Sequence, residues 1–136
     1  MTAPVKEMLQ TYPADLGGID RQALTRCIQE TLACAQACTA CADACLSEDR
    51  VAELRKCVRT DLDCADICQT TARVLSRHTG YDANITRAQL EVCVTACMAC
   101  AEECEQHSGE HEHCRLCAEA CRRCAQACRD LLGSLG

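Results

Sequence analysis

Seventeen cysteines in a chain of 136 residues follow one another at steps of three, four or seven within four runs, and no other feature constrains the fold as much. The runs are Cys27, Cys34, Cys38, Cys41 and Cys45; Cys57, Cys64 and Cys68; Cys93, Cys97, Cys100 and Cys104; and Cys114, Cys117, Cys121, Cys124 and Cys128. Such steps put every thiol of a run on one face of an α-helix. The residues between them are mostly Ala, Glu, Gln, Asp and Arg, good helix formers whose polar members can take the opposite face. The spans CAQACTACADAC, CVTACMACAEEC and CRLCAEACRRCAQAC read as near-repeats of one unit, too short and irregular for a solenoid.

Punctuation sets the boundaries. Gly17, Gly18 and Asp20 precede the first core helix, with Asp20 as its N-cap, and Ser47 or Asp49 is expected to cap the second. Gly80 ends the second, Thr86 to Gln89 has the spacing of a capping box for the third, Gly109 separates third from fourth, and Gly133 closes the fourth. Core helices are therefore predicted at about 20–46, 49–78, 85–107 and 110–132, after a short amphipathic helix at about 4–11. Short connections make consecutive helices antiparallel neighbours. The fold class that follows is all-α, a single domain over 1–136 forming an up-down-up-down antiparallel four-helix bundle with a cysteine-lined interior.

The two ends of that interior differ. Extending the stripes one way brings in Leu24, Leu75, Leu90 and Leu131, with Ile85 and Leu132 close by, a hydrocarbon plug. Extending the third stripe the other way gives positions 104, 107, 111 and 114, so His107 and His111 stand where a cysteine would, with His113 beside them. Asp61, four after Cys57 and three before Cys64, falls inside the tube, level with Cys34, Cys100 and the region of Cys117 to Cys121. Thr31 has a similar polar place between Cys27 and Cys34. Met98 is one step off its stripe and is expected between helices, and His78 is expected as a cation at a helix C-terminus. The other carboxylates fall mainly on outward positions.

Phe and Trp are absent and Tyr occurs twice, so cysteine supplies much of the apolar interior. As mere filler it is a poor choice: each thiol in place of Leu or Ile gives up burial worth ~0.8 kcal/mol per methylene. A bound group must supply the reason. The N-terminal MTAPVKEMLQTYPADLGG has no apolar core and no twin-Arg run, which predicts a cytosolic protein with reduced thiols, and an odd total cannot pair completely within one molecule. The net charge of −6 without a basic block argues against a nucleic-acid partner, and no stretch reaches the ~18 apolar residues of a membrane span.

Discrete zinc or iron-sulfur sites come in fours, whereas these interlocked CxxxC and CxxC steps have no natural division into fours. Cu(I) accepts two or three soft sulfurs and tolerates bridging. Two sulfurs per ion would give roughly eight ions, and bridged clusters about twice that. A two-thiolate Cu(I) site carries net −1, so a dry tube favours bridged, nearly neutral clusters. No catalytic constellation accompanies the thiols, and no enzymatic activity is expected. Two other readings stay open: a zinc or heavy-metal thiolate buffer, and a thiol redox buffer or sensor using Cys38/Cys41, Cys97/Cys100, Cys114/Cys117 and Cys121/Cys124.

A four-helix bundle with such stripes, a histidine-bearing turn between its last two helices and no export signal resembles the cytosolic bacterial copper storage proteins over about residues 20–132. The resemblance implies many Cu(I) ions stored along the bundle interior, with all seventeen cysteines as ligands and His107, His111 and His113 admitting copper at one end. It further implies a homotetramer and, as partners, a cytosolic copper chaperone or efflux system. The exported class has a twin-Arg signal and a Met-rich mouth, and this sequence shows neither.

Overall fold

The Asp20 carboxylate accepts a hydrogen bond from the Ala23 N–H at 3.1 Å and so opens the first long helix where the sequence places its N-cap. In the computed structural model, which describes residues 2–135, the helices are α1 (Val5–Gln10), α2 (Arg21–Leu46), α3 (Arg55–Leu75), α4 (Ala83–Glu105) and α5 (Glu112–Ser134). A 3₁₀ turn, Val51–Leu54, leads into α3. The four long helices pack in cyclic order α2, α3, α4, α5, each against its two neighbours. Cys27 near the start of α2 meets Cys128 near the end of α5 at 3.6 Å, and Cys57 near the start of α3 meets Cys104 at the end of α4 at 3.7 Å. Both pairs run antiparallel, giving the expected up-down-up-down bundle.

Several boundaries differ from the sequence reading. The second core helix starts at Arg55 rather than about 49: Ser47 is the C-cap of α2, and no side chain caps α3. The tighter 3₁₀ winding of the preceding turn carries Leu54 into the core, where it is 1% exposed. At the start of α4 the cap is Asp82, whose carboxylate accepts from the Asn84 N–H at 2.8 Å. Thr86 instead faces inward, in phase with Leu90 and Cys93. The α3 helix ends at Leu75, and Gly80 supplies the left-handed conformation (φ +65°) that the turn after it requires. The α5 helix runs through Gly133 to Ser134.

All seventeen cysteines are free and buried. Leu24, Leu75, Leu90 and Leu131 close one end of the bundle, none more than 3% exposed. Ile85, placed near that plug by the pattern, points to solvent, and Leu132 is half-buried against the core. Met98 is half-buried against the core as expected. Beside the plug, α1 lays Val5 and Leu9 against the bundle, and the Arg21 guanidinium fastens it by donating to the Leu9 carbonyl at 3.0 Å. At His78, expected as a helix-end cation, the surroundings disfavour the charged form. The ring sits edge-on to Tyr12 at 5.3 Å with Nε2 unpartnered, and burial lowers its pKa.

Two of the buried threonines are satisfied within their own helices: Thr31 Oγ1 donates to the Ile28 carbonyl at 2.9 Å, and Thr71 Oγ1 to that of Ile67 at 2.7 Å. The helices are therefore complete without metal. Circular dichroism of the reduced, metal-free protein is expected to show the full helical signal, with little gain on metal addition. A coil-to-helix transition on loading would instead make folding metal-dependent.

Candidate metal centre

The four stripes meet as one column of sulfur. Beyond the pair Cys27 and Cys128, Cys68 lies 3.9 Å from Cys93, 3.6 Å from Cys97 and 3.9 Å from Cys124. Cys34 is 3.7 Å from Cys121 and 4.0 Å from Cys64, and Cys38 is 3.8 Å from Cys100, 3.7 Å from Cys117 and 3.6 Å from Cys121. Toward the other end Cys114 approaches Cys41 at 3.9 Å and Cys45 at 4.0 Å. At a metal–sulfur length of ~2.3 Å, two sulfurs on one ion stand about 3.8 Å apart in tetrahedral geometry and about 4.6 Å apart in linear geometry. The column is spaced for metal without rearrangement of the helices.

The column does not divide into separate sites. Ligand atoms lie within 4.8 Å of one another in the groups Cys34/Cys68/Cys97/Cys124, Cys34/Cys38/Cys64/Cys121 and Cys38/Cys100/Cys117/Cys121. Nearer the mouth the same holds for Cys41/Cys45/Cys57/Cys114 and Cys41/Cys57/Asp61/Cys104. Cys34, Cys38, Cys41, Cys57 and Cys121 each belong to two of these groups. A thiol shared between neighbouring groups can serve both only by bridging.

Asp61 lies wholly inside this column. Its Oδ1 accepts from the thiols of Cys100 at 3.0 Å, Cys117 at 3.2 Å and Cys104 at 3.3 Å, and Oδ2 is 4.0 Å from Cys57. Cys100 and Cys117 are the neighbours that helical rise predicts. Cys34 is replaced by Cys104, Cys57 and Cys41, so the layer sits nearer the mouth than expected. Removal from water pushes the Asp61 carboxyl up to about 8, which leaves it mostly protonated at neutral pH. Desolvation likewise pushes the Cys45 thiol up to about 12 and raises Cys114.

At the mouth the histidines change places relative to the sequence reading. His113, expected beside the stripe, is the one that reaches the thiols, with Nδ1 3.4 Å from Cys41 Sγ and 3.6 Å from Cys114 Sγ. His107 and His111 turn to carboxylates: His107 Nε2 is 3.1 Å from Glu103, and His111 Nδ1 is 2.8 Å from Glu48. The helix stops after Glu105, and residues 106–110 form turns, so the phase of the third stripe is lost before it reaches His111. The first turn of α5 then points His113 inward.

Two acidic residues at this end escaped the sequence reading. Glu103, 7% exposed, sits between His107 and the Lys56 ammonium at 3.8 Å; its i,i+4 relation to His107 is a signal that could have found it. Glu48 lies in the link after α2, outside any helical period, and its Oε2 meets both His111 and His113, the latter at 2.9 Å. The hydrogen bond from His113 holds its carboxylate below the usual range.

A bundle whose core is a continuous run of thiols, plugged by leucine at one end and lined by imidazole at the other, defines a class of cysteine-lined four-helix proteins built around soft metal. The chain belongs to the copper storage protein family, whose sequence model matches residues 20–133. It is similar to the copper storage protein Ccsp from Streptomyces lividans solved loaded with 10 copper equivalents: 68% identity, TM-score 0.95, covering 96% of this chain and 98% of that one. A structure of the cytosolic copper storage protein from the same organism with five coppers matches at 69% identity, TM-score 0.86, over 88% of this chain and all (100%) of that one. Cu(I)-bound BsCsp3 matches at 35% identity, TM-score 0.70, over 78% of this chain and 94% of that one. A comparison with curated protein sequences returned no match. No helix among the described residues is long and apolar enough to cross a membrane.

Proposed function

We propose that this protein stores Cu(I) in the cytosol, holding many ions per chain as polynuclear clusters bridged by its seventeen cysteine thiolates, with Asp61 completing the layer below the mouth. The sharing of Cys34, Cys38, Cys41, Cys57 and Cys121 between adjoining groups carries this reading, because isolated tetrahedral zinc sites would not share ligands and bridged Cu(I) clusters must. Charge points the same way. Among the described residues no Lys or Arg is buried in the column, so clusters with about one Cu(I) per bridging thiolate are the form that a dry interior tolerates. The likeness to Ccsp and BsCsp3 supports storage rather than catalysis.

Titrating the reduced protein anaerobically against a chromophoric Cu(I) chelator should give more than about eight ions per chain, the limit for two sulfurs per ion. Saturation at about four or fewer, or easy displacement of Cu(I) by Zn²⁺, would overturn storage in favour of a zinc buffer.

His107, His111 and His113 form the set through which copper enters and leaves. Replacing all three is expected to slow both loading and chelator-driven removal while leaving capacity nearly unchanged, because every storing thiol remains. Stopped-flow uptake by wild type and triple variant checks this. Exchange then runs to a cytosolic copper chaperone or efflux system. The bundles assemble as a homo-oligomer, a tetramer on the family resemblance; exposed Ile85 and Val92, seven apart on the outer face of α4, supply apolar area for such contacts, and sedimentation reads the mass.

A further inference from the structure

We propose that Glu48 is a positioning residue for copper capture: it takes the proton-bearing Nε2 of His113, leaving the Nδ1 lone pair aimed at the thiols of Cys41 and Cys114. This rests on the storage reading above and names the residue that sets its first step. Among the described residues His113 is the one mouth histidine with a polar partner at each ring nitrogen. Nε2 stands 2.9 Å from Glu48 Oε2, while Nδ1 stands 3.4 Å from Cys41 Sγ and 3.6 Å from Cys114 Sγ. An ionised carboxylate only accepts hydrogen bonds, so the partner at Nε2 must be an N–H, and a neutral imidazole then carries a lone pair on Nδ1. That lone pair and two sulfurs converge as a three-donor set of the kind Cu(I) accepts. A carboxylate behind a metal-binding imidazole is a general device for fixing its tautomer and orientation.

Placement makes the device specific. Glu48 lies in the link between α2 and α3, and the same Oε2 also holds His111 Nδ1 at 2.8 Å, with the two rings stacked at 5.4 Å. One carboxylate therefore ties the start of α5 to the opposite link and limits rotation of the His113 ring. In the metal-free protein the thiols of Cys41 and Cys114 can donate S–H to Nδ1, so the ring is already turned inward before copper arrives.

Long-range ¹H–¹⁵N spectra of the metal-free protein at pH 8 should show His113 Nδ1 as the unprotonated, pyridine-type nitrogen. In Glu48→Ala that preference should weaken, and uptake of the first Cu(I) equivalent should slow about tenfold, the low end of effects seen for such partners, with total capacity unchanged. Glu48→Gln, which keeps an acceptor oxygen, should recover much of both. In a His113→Ala background Glu48→Ala should add little. A protonated Nδ1 in the wild type, an unaltered tautomer in Glu48→Ala, or equal slowing by Glu48→Ala with and without His113 would each overturn the role. Normal capacity with one of those outcomes defeats this proposal alone, whereas failure to bind Cu(I) defeats the storage reading and this role with it.

Discussion

Asparagine in place of Asp61 is expected to raise the stability of the metal-free protein at pH 7 by a few kcal/mol and by almost nothing at pH 4. Unfolded, the carboxyl titrates near 3.8; folded, burial pushes it up to about 8. Between those values the native state keeps a proton that the unfolded chain releases. The contribution of this group to stability is thus fully present below about pH 4 and is lost progressively as pH rises to about 8, by roughly 4 kcal/mol at pH 7 at 1.36 kcal/mol per unit. A neutral amide carries no such dependence. Urea denaturation of both reduced proteins at several pH values measures the difference directly. Parallel stability curves for wild type and Asp61→Asn would mean that the carboxyl titrates normally and that its partners, Cys100, Cys104 and Cys117, solvate the ionised form.

The second large effect lies at the plugged end. Leu90→Ala in the metal-free protein is expected to cost about 2–5 kcal/mol, because a fully buried leucine would leave a cavity between helices that meet at that level. Cys64→Ala, equally buried at mid-column, removes about one heavy atom's worth of burial and should cost only about 1 kcal/mol. Denaturation midpoints of the two variants test this. Equal losses would show that the thiol column itself, rather than the leucine plug, holds the empty bundle together. Copper should reverse the ranking, since a ligand bound only to the folded state adds stability in proportion to its affinity, and losing Cys64 removes part of that affinity.

Both effects trace to residues that periodicity alone put in their places. Steps of three, four and seven determined four helices, an inward face of seventeen thiols, a carboxylate at position 61 among them and a leucine level at one end, because each is a consequence of 3.6 residues per turn acting within a single helix. Short links between those helices were enough for antiparallel order. The capping choices were less legible. Asp82 rather than Thr86 opens α4, and burial decided it: Thr86 shares the inward face of Leu90 and Cys93.

Tertiary structure alone decided the mouth. Periodicity continues only while the helix does, and the break at Gln106 lets His111 swing out to Glu48 while the new phase of α5 turns His113 in toward Cys41. Glu48 and Leu54 come from a link whose 3₁₀ turn and loop have no repeat to read. Which thiols are shared, and therefore whether the interior is a set of sites or one continuous column, depends on the axial offsets between helices. Those offsets are set by how Leu24, Leu75, Leu90 and Leu131 pack at the closed end and how the links reach across the open one. The spacing of a single chain segment holds no record of that registration, because it is a property of helices in contact.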